Sequence, residues 1–87
     1  MAGKPIHISG HAWFEMKRRH IRRAEVHATI RAPGQVLPAA KGRQIYQSLI
    51  GLARRLLLRV IVKEDATAYH VVTAYKTSKI EKYWSGS

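Results

Sequence analysis

Sixteen Lys and Arg against five Asp and Glu give this 87-residue chain a formal charge of +11 and a pI near 10.8. A chain of this length is one domain, residues 1–87, burying only roughly 60–65% of its unfolded surface, so its core is modest. The lack of Cys, of an apolar run of membrane-spanning length and of a signal-peptide stretch in MAGKPIHISG argues against a disulfide scaffold, a thiolate metal site and a spanning helix, and makes a soluble cytoplasmic protein the expectation.

Lys4–Ile8 is too short and too proline-bound to be more than an extended lead-in. Ser9 has the character of an N-cap for a helix from Gly10 or His11 to about Arg19, with Ala12 and Met16 at i, i+4 and Trp13 beside them as its inward stripe. Lys17-Arg18-Arg19-His20-Ile21-Arg22-Arg23 is basic or His at every position but one. Cations favour the negative pole of a helix, which accounts for two or three of these charges. The repulsion among the rest calls for an anion.

Ala24–Arg31 predicts a second short helix, with Val26 and Ile30 as its buried pair and Pro33-Gly34 ending it. Two helices with a bend also raise a helix-turn-helix reading. It is disfavoured because the second begins Ala-Glu-Val-His and offers few side chains for base edges.

Gln35-Val36-Leu37 is a weak edge strand closed by Pro38. Lys41-Gly42 turns into a strand over Arg43–Ile50, where Ile45, Gln47 and Leu49 alternate with Tyr46, Ser48 and Ile50. Gly51 ends that strand, and Leu52–Arg55 leads to the centre of the chain. There Leu56–Lys63 and Ala68–Tyr75, rich in Val, Ile, Leu, Thr and Tyr, flank Glu64-Asp65-Ala66-Thr67 and predict a β-hairpin.

A one-residue slip in a hairpin turns every side chain over, so loop parity decides which residues share a face. An even link sets Arg59 opposite Val72; an odd link sets it opposite Thr73. The odd register is preferred because it gathers Val60, Val62, Val72 and Ala74 on one face and Arg59, Lys63, Thr73 and Tyr75 on the other. An arginine among aliphatics on a central strand must pair, snorkel or face a polar groove, and with few carboxylates available the groove is favoured. Beyond Tyr75, Ser78-Lys79-Ile80-Glu81 has capping-box spacing for a last short helix, pinned by Ile80 and Trp84, before a loose Ser85-Gly86-Ser87. The expected architecture is α+β: two short N-terminal helices packed on a four-stranded antiparallel β-meander, with a short C-terminal helix.

Ser9-Gly10-His11-Ala12, Met16 with Arg19 and Ile21, Glu25-Val26, Pro33, Gly42-Arg43 with Tyr46, Leu58–Val62 and Val72–Tyr75 together resemble a small bacterial domain family of unknown function. The resemblance runs from about Ile8 to Tyr83. That family is similar to the RelE-like, or BECR-fold, ribonucleases, many of which are toxins of toxin–antitoxin pairs. The resemblance implies metal-independent RNA cleavage, no cofactor, an acidic antitoxin partner, and a site drawn from His11, Arg19, Arg43, Tyr46, Arg59 and Thr73. Where the family often has Arg before the methionine this chain has Glu15, which lowers the local positive potential; where it often has Gly before the isoleucine it has His20.

Cleavage without a metal needs a base for the ribose 2′-proton, cations for the phosphorane and an acid for the leaving oxygen. His11 suits the base, although a histidine near a helix start also satisfies backbone groups. Arg19, Arg43 and Arg59 suit the charge role, and Tyr46 or Tyr75 could donate a proton or stack on a base. Lys17, Arg18, Arg22, Arg23, Lys63, Tyr75 and Lys76 are the expected RNA contacts. His7 and His11 would share a face only if one helix held both, and Pro5 argues against that, so no metal site is expected. The leading expectation is an endoribonuclease toxin acting on RNA or the ribosome. The alternatives are a non-catalytic RNA- or ribosome-binding module, and a basic interaction domain for an acidic protein; a membrane partner is disfavoured because no helix joins a basic face to a wide apolar one.

Overall fold

The computed structural model describes residues 3–86; Ser87 of the expected loose end, and residues 1 and 2, lie outside the described residues. The elements are β1 (Ile6–Ile8), α1 (Gly10–Arg18), α2 (Arg23–Arg31), β2 (Gln35–Pro38), β3 (Gln44–Ile50), β4 (Leu56–Glu64), β5 (Tyr69–Thr77) and α3 (Ile80–Tyr83). The strands form one sheet in the order β1-β5-β4-β3-β2. The expected antiparallel meander is present as β2 to β5. The sheet has a fifth strand, however, so it is mixed rather than purely antiparallel.

That fifth strand is the segment expected to be only a lead-in. Ile6, His7 and Ile8 pair in parallel with Tyr69, His70 and Val71. Pro5 does not prevent this, because proline lacks only the donor: its carbonyl accepts from Tyr69 N at 2.9 Å. The alternation Ile-His-Ile then sets both isoleucines against the core and stacks the His7 and His70 rings, with centroids 5.6 Å apart, on the other side.

Helix α1 starts as its sequence dictates. The Ser9 hydroxyl accepts from Ala12 N at 3.0 Å, satisfying one of the donors that a helix start leaves free. Ala12 and Met16 are buried, and with Val26 and Ile30 of α2 they cover Leu58, Val60, Val62, Val71 and Ala74. Trp13 does not join that stripe; it stays 36% exposed, with the Arg23 guanidinium 4.9 Å from its ring. The bend between the helices places His20 at φ 58°, a left-handed conformation unfavourable for a residue with a Cβ, and returns the chain inward at buried Ile21.

The central hairpin corrects the loop-parity argument. The strands close on an even link, Asp65–Ala68, with Glu64 opposite Tyr69 and Val62 opposite Val71. Uninterrupted, that register would turn Arg59 to the side of Ala74. A bulge intervenes: Ile61 pairs with Thr73, Val72 is the extra residue, and Arg59 comes opposite Tyr75 rather than Thr73. The bulge restores the expected grouping of Arg59, Lys63, Thr73 and Tyr75 on one face. It also gives the core position expected for Val72 to Val71, which is 1% exposed.

At the C-terminal end the expected capping box does not form; Lys79 occupies the N-cap position without a side-chain bond, and α3 is a single turn. Trp84 lies so close over Gly34 that a Cβ there would meet its ring at 2.8 Å and force the indole to shift. Ser85 is not loose: its N donates to Gln35 Oε1 at 3.0 Å and its carbonyl accepts from Gln35 Nε2. No helix among the described residues is long and apolar enough to cross a membrane.

Candidate nucleic-acid interface

The basic run between α1 and α2 forms one exposed bend. Lys17, Arg18, Arg22 and Arg23 all present themselves to solvent. Glu15 organises the start of this bend: its Oε1 takes Arg18 Nη2 and Arg19 Nη2, each at 2.7 Å. The hydrogen bond from Arg18 holds the Glu15 carboxyl below the usual range against the opposing effect of burial, and the charges of Arg18, Arg19 and His11 act in the same direction as Arg18. A residue that subtracts one positive charge thus positions two arginines.

Arg19 turns toward the sheet. Its Nη1 donates to Ala74 O at 2.9 Å and reaches Thr73 Oγ1 at 3.4 Å, joining the end of α1 to β5. Lys76, two residues along β5, donates from Nζ to His20 O at 3.1 Å. Arg19, Thr73 and Lys76 therefore meet at the same bend that carries Lys17, Arg18, Arg22 and Arg23.

Arg59 continues from Thr73 by way of Tyr75. It is only 7% exposed. Its Nε donates to Gln47 Oε1 at 2.9 Å and its Nη1 to Tyr75 Oη at 2.6 Å, while the guanidinium carbon lies 4.1 Å from the Tyr83 ring centroid. Gln47, fully buried, passes the chain on: its Nε2 donates to Gln35 Oε1 at 2.8 Å and to Tyr83 O at 3.1 Å. Arg59 therefore does not face the open groove expected of it. Amide and phenol partners, with an aromatic ring beside the guanidinium, replace the carboxylate that the sequence lacks.

Three expected site residues fall elsewhere. Tyr46 is opposite Val60 on the helix-covered side and donates from Oη to Glu64 Oε1 at 2.6 Å. Its burial, then this bond, push the phenol well above its ordinary pKa, while Lys4 and then Tyr46 hold Glu64 low. Arg43 precedes β3 four residues from Gln47, roughly 13 Å along the strand, at the end where Lys63 pairs with His70. His11 is exposed and stands roughly 12 Å up the helix axis from Arg19. His7, in β1, shares no helix with it.

No family model, curated protein or solved structure matches the chain. Its function must be read from its own residues, and several of those escaped the sequence reading. Gln47 could have been found by parity, since it alternates away from Tyr46 on the strand beside Arg59. Gln35 and Tyr83 gave no such signal, because their roles depend on chain segments far apart in sequence.

Proposed function

We propose that the protein is an RNA-binding domain of the RelE-like kind, holding phosphates at the bend between α1 and α2 and along the end of β5. The observation that carries this reading is the junction of Arg19 with Thr73 and Ala74, beside four exposed Lys and Arg side chains of the bend. Guanidinium and ammonium groups at such density match a polyphosphate backbone, and the net charge of +11 supplies long-range attraction. The left-handed His20 supports the kinship, since it occupies the place where the resembled family often has glycine.

A finer reading is metal-independent endonucleolytic cleavage, as the toxin of a pair with an acidic antitoxin, in the cytoplasm. The band Arg19, Thr73, Tyr75 favours it, because it sets a guanidinium held against β5 two residues from a phenol on the same strand, with buried Arg59 behind that phenol holding it in place. In that reading Arg19 stabilises phosphorane charge, Tyr75 exchanges the proton and Thr73 positions the strand. Arg43, Tyr46 and His11 lie too far from the band to share its chemistry.

Fluorescence anisotropy with mixed-sequence single-stranded RNA tests binding. Affinity should fall with a log–log salt slope of about −0.7 per phosphate neutralised, and no binding at low salt would end the RNA reading. Incubation of a bound RNA tests cleavage: Arg19→Ala and Tyr75→Phe should lower the rate by about 100-fold or more if these groups act in the transition state. Intact RNA with the wild type leaves the binding module.

A further inference from the structure

A second cationic site lies away from the bend, in residues that neither the charge run nor the resemblance singled out. The meander brings the β3–β4 turn to the end of the sheet where β5 exits, because Leu57 pairs with both Leu49 and Thr77. Residues 54–55 and 78–82 therefore meet although some two dozen positions separate them. Between them is a cavity of about 680 Å³ lined by Arg54, Arg55, Lys79 and Lys82, with Ser78, Ile80 and Glu81.

Four cations face one carboxylate there. None of the four forms an ion pair among the described residues, and all are exposed. The turn that carries two of them is held in an unfavourable backbone: Ala53 at φ 57° and Arg54 at φ 53° are consecutive left-handed residues with a Cβ. Like charges confined to a concavity repel one another until an anion enters, and guanidinium forks offer paired donors to phosphate oxygens.

We infer that this pocket is a phosphate-binding site for the backbone of a single-stranded RNA whose neighbouring phosphates lie on the α1–α2 bend. Continuity of the surface selects RNA. Lys76 touches the bend through His20 O, and Lys79, which lines the pocket, is only three residues further on, at most about 11 Å of chain. A strand leaving the bend along the end of β5 arrives at Lys79. The inference rests on the RNA-binding reading and adds to it a second contact and a direction for the strand.

The test compares the full-length wild type, the quadruple variant R54Q/R55Q/K79Q/K82Q and the bend variant K17Q/R18Q/R22Q by anisotropy on one single-stranded RNA over a range of salt. Thermal unfolding first confirms that these surface changes leave the fold intact. Loss of two or three phosphate contacts should make the salt slope of the quadruple variant shallower by about 1.4 to 2, with at least a tenfold loss of affinity, and the bend variant should lose slope independently. If the wild type binds RNA and the quadruple variant keeps the wild-type slope, the pocket assignment is overturned while the RNA reading stands. If the wild type binds no RNA, both fall. A polyglutamate peptide that binds the wild type more tightly than RNA and loses that binding in the quadruple variant would instead assign the pocket to an acidic protein.

Discussion

The two faces of the central hairpin are held by different physics. On one, Leu58, Val60, Val62, Val71 and Ala74 lie beneath Ala12, Met16, Val26 and Ile30, and apolar burial suffices. On the other, Arg59, Gln47, Gln35 and Tyr75 form a chain of hydrogen bonds tied to Tyr83 and Ser85, while Leu37, Ile45, Ile61 and Val72 further along remain only half-buried. Burial tolerates any apolar neighbour of suitable volume; a hydrogen-bonded chain needs each partner in place. The first face is therefore robust and uninformative about function, and the second is specific and fragile.

The largest expected effect breaks the first face. Leu58→Ala removes a fully buried side chain from the core cluster and should cost about 2–5 kcal/mol. Ile61→Ala, half-buried on the opposite face, should cost less than half as much. Urea unfolding at constant m-value measures both. Equal costs would show that the two faces are equally packed.

An intermediate effect tests the second face. Gln47→Leu leaves the Arg59 Nε without its acceptor in a buried setting, at a cost of about 1–3 kcal/mol. Adding Arg59→Met should recover much of that loss, because it removes the buried guanidinium that Gln47→Leu orphaned and leaves only the half-buried Tyr75 Oη and Tyr83 O to find other partners. A double-mutant cycle in which the two costs simply add would remove the coupling on which the specificity of this face depends.

The same contrast explains what the sequence made legible. Periodicity reports burial, so the helix stripes Ala12–Met16 and Val26–Ile30 and the apolar row Val60, Val62, Ala74 could be read directly. Of the expected contacts, Lys17, Arg18, Arg22, Arg23 and Lys76 gather at the bend with the expected site residues Arg19 and Thr73, and Tyr75 follows two residues along β5, because charge density and strand alternation are local properties; Lys63 lies apart, opposite His70 at the other end of β4. The bulge at Val72 has no such signature, and it decides which way Arg59 points. The resemblance places Tyr46 and Arg43 in one site, yet an odd separation along extended chain sends the two to opposite faces. The partners of Arg59, and the meeting of Arg54 and Arg55 with Lys79 and Lys82, depend on topology and appear only when the strands are placed.

The smallest expected effect lies in the link that fixes both faces at once. Asp65 Oδ1 accepts from Thr67 N, Thr67 Oγ1 and Ala68 N at 2.8–2.9 Å, and its Oδ2 is 3.0 Å from His70 Nε2. The side-chain and then the backbone bonds of Thr67, followed by Ala68 and His70, hold its carboxyl far below the usual range. A carboxyl depressed in the folded state stabilises the fold above its unfolded pKa of about 3.9, and that contribution disappears as pH falls toward the folded value. Asp65→Asn keeps an oxygen for the backbone donors but removes the charge, so the variant should be less stable than wild type at pH 7 and the gap should narrow progressively as pH falls below about 4. Glu15 and Glu64 are also held low, but they titrate in both proteins and cancel in the difference. Thermal unfolding of the pair from pH 7 to pH 2 measures the gap; one that stayed constant would mean that the charge of Asp65 does nothing for the hairpin, leaving the closing pair Glu64–Tyr69 and the bulge to set the register alone.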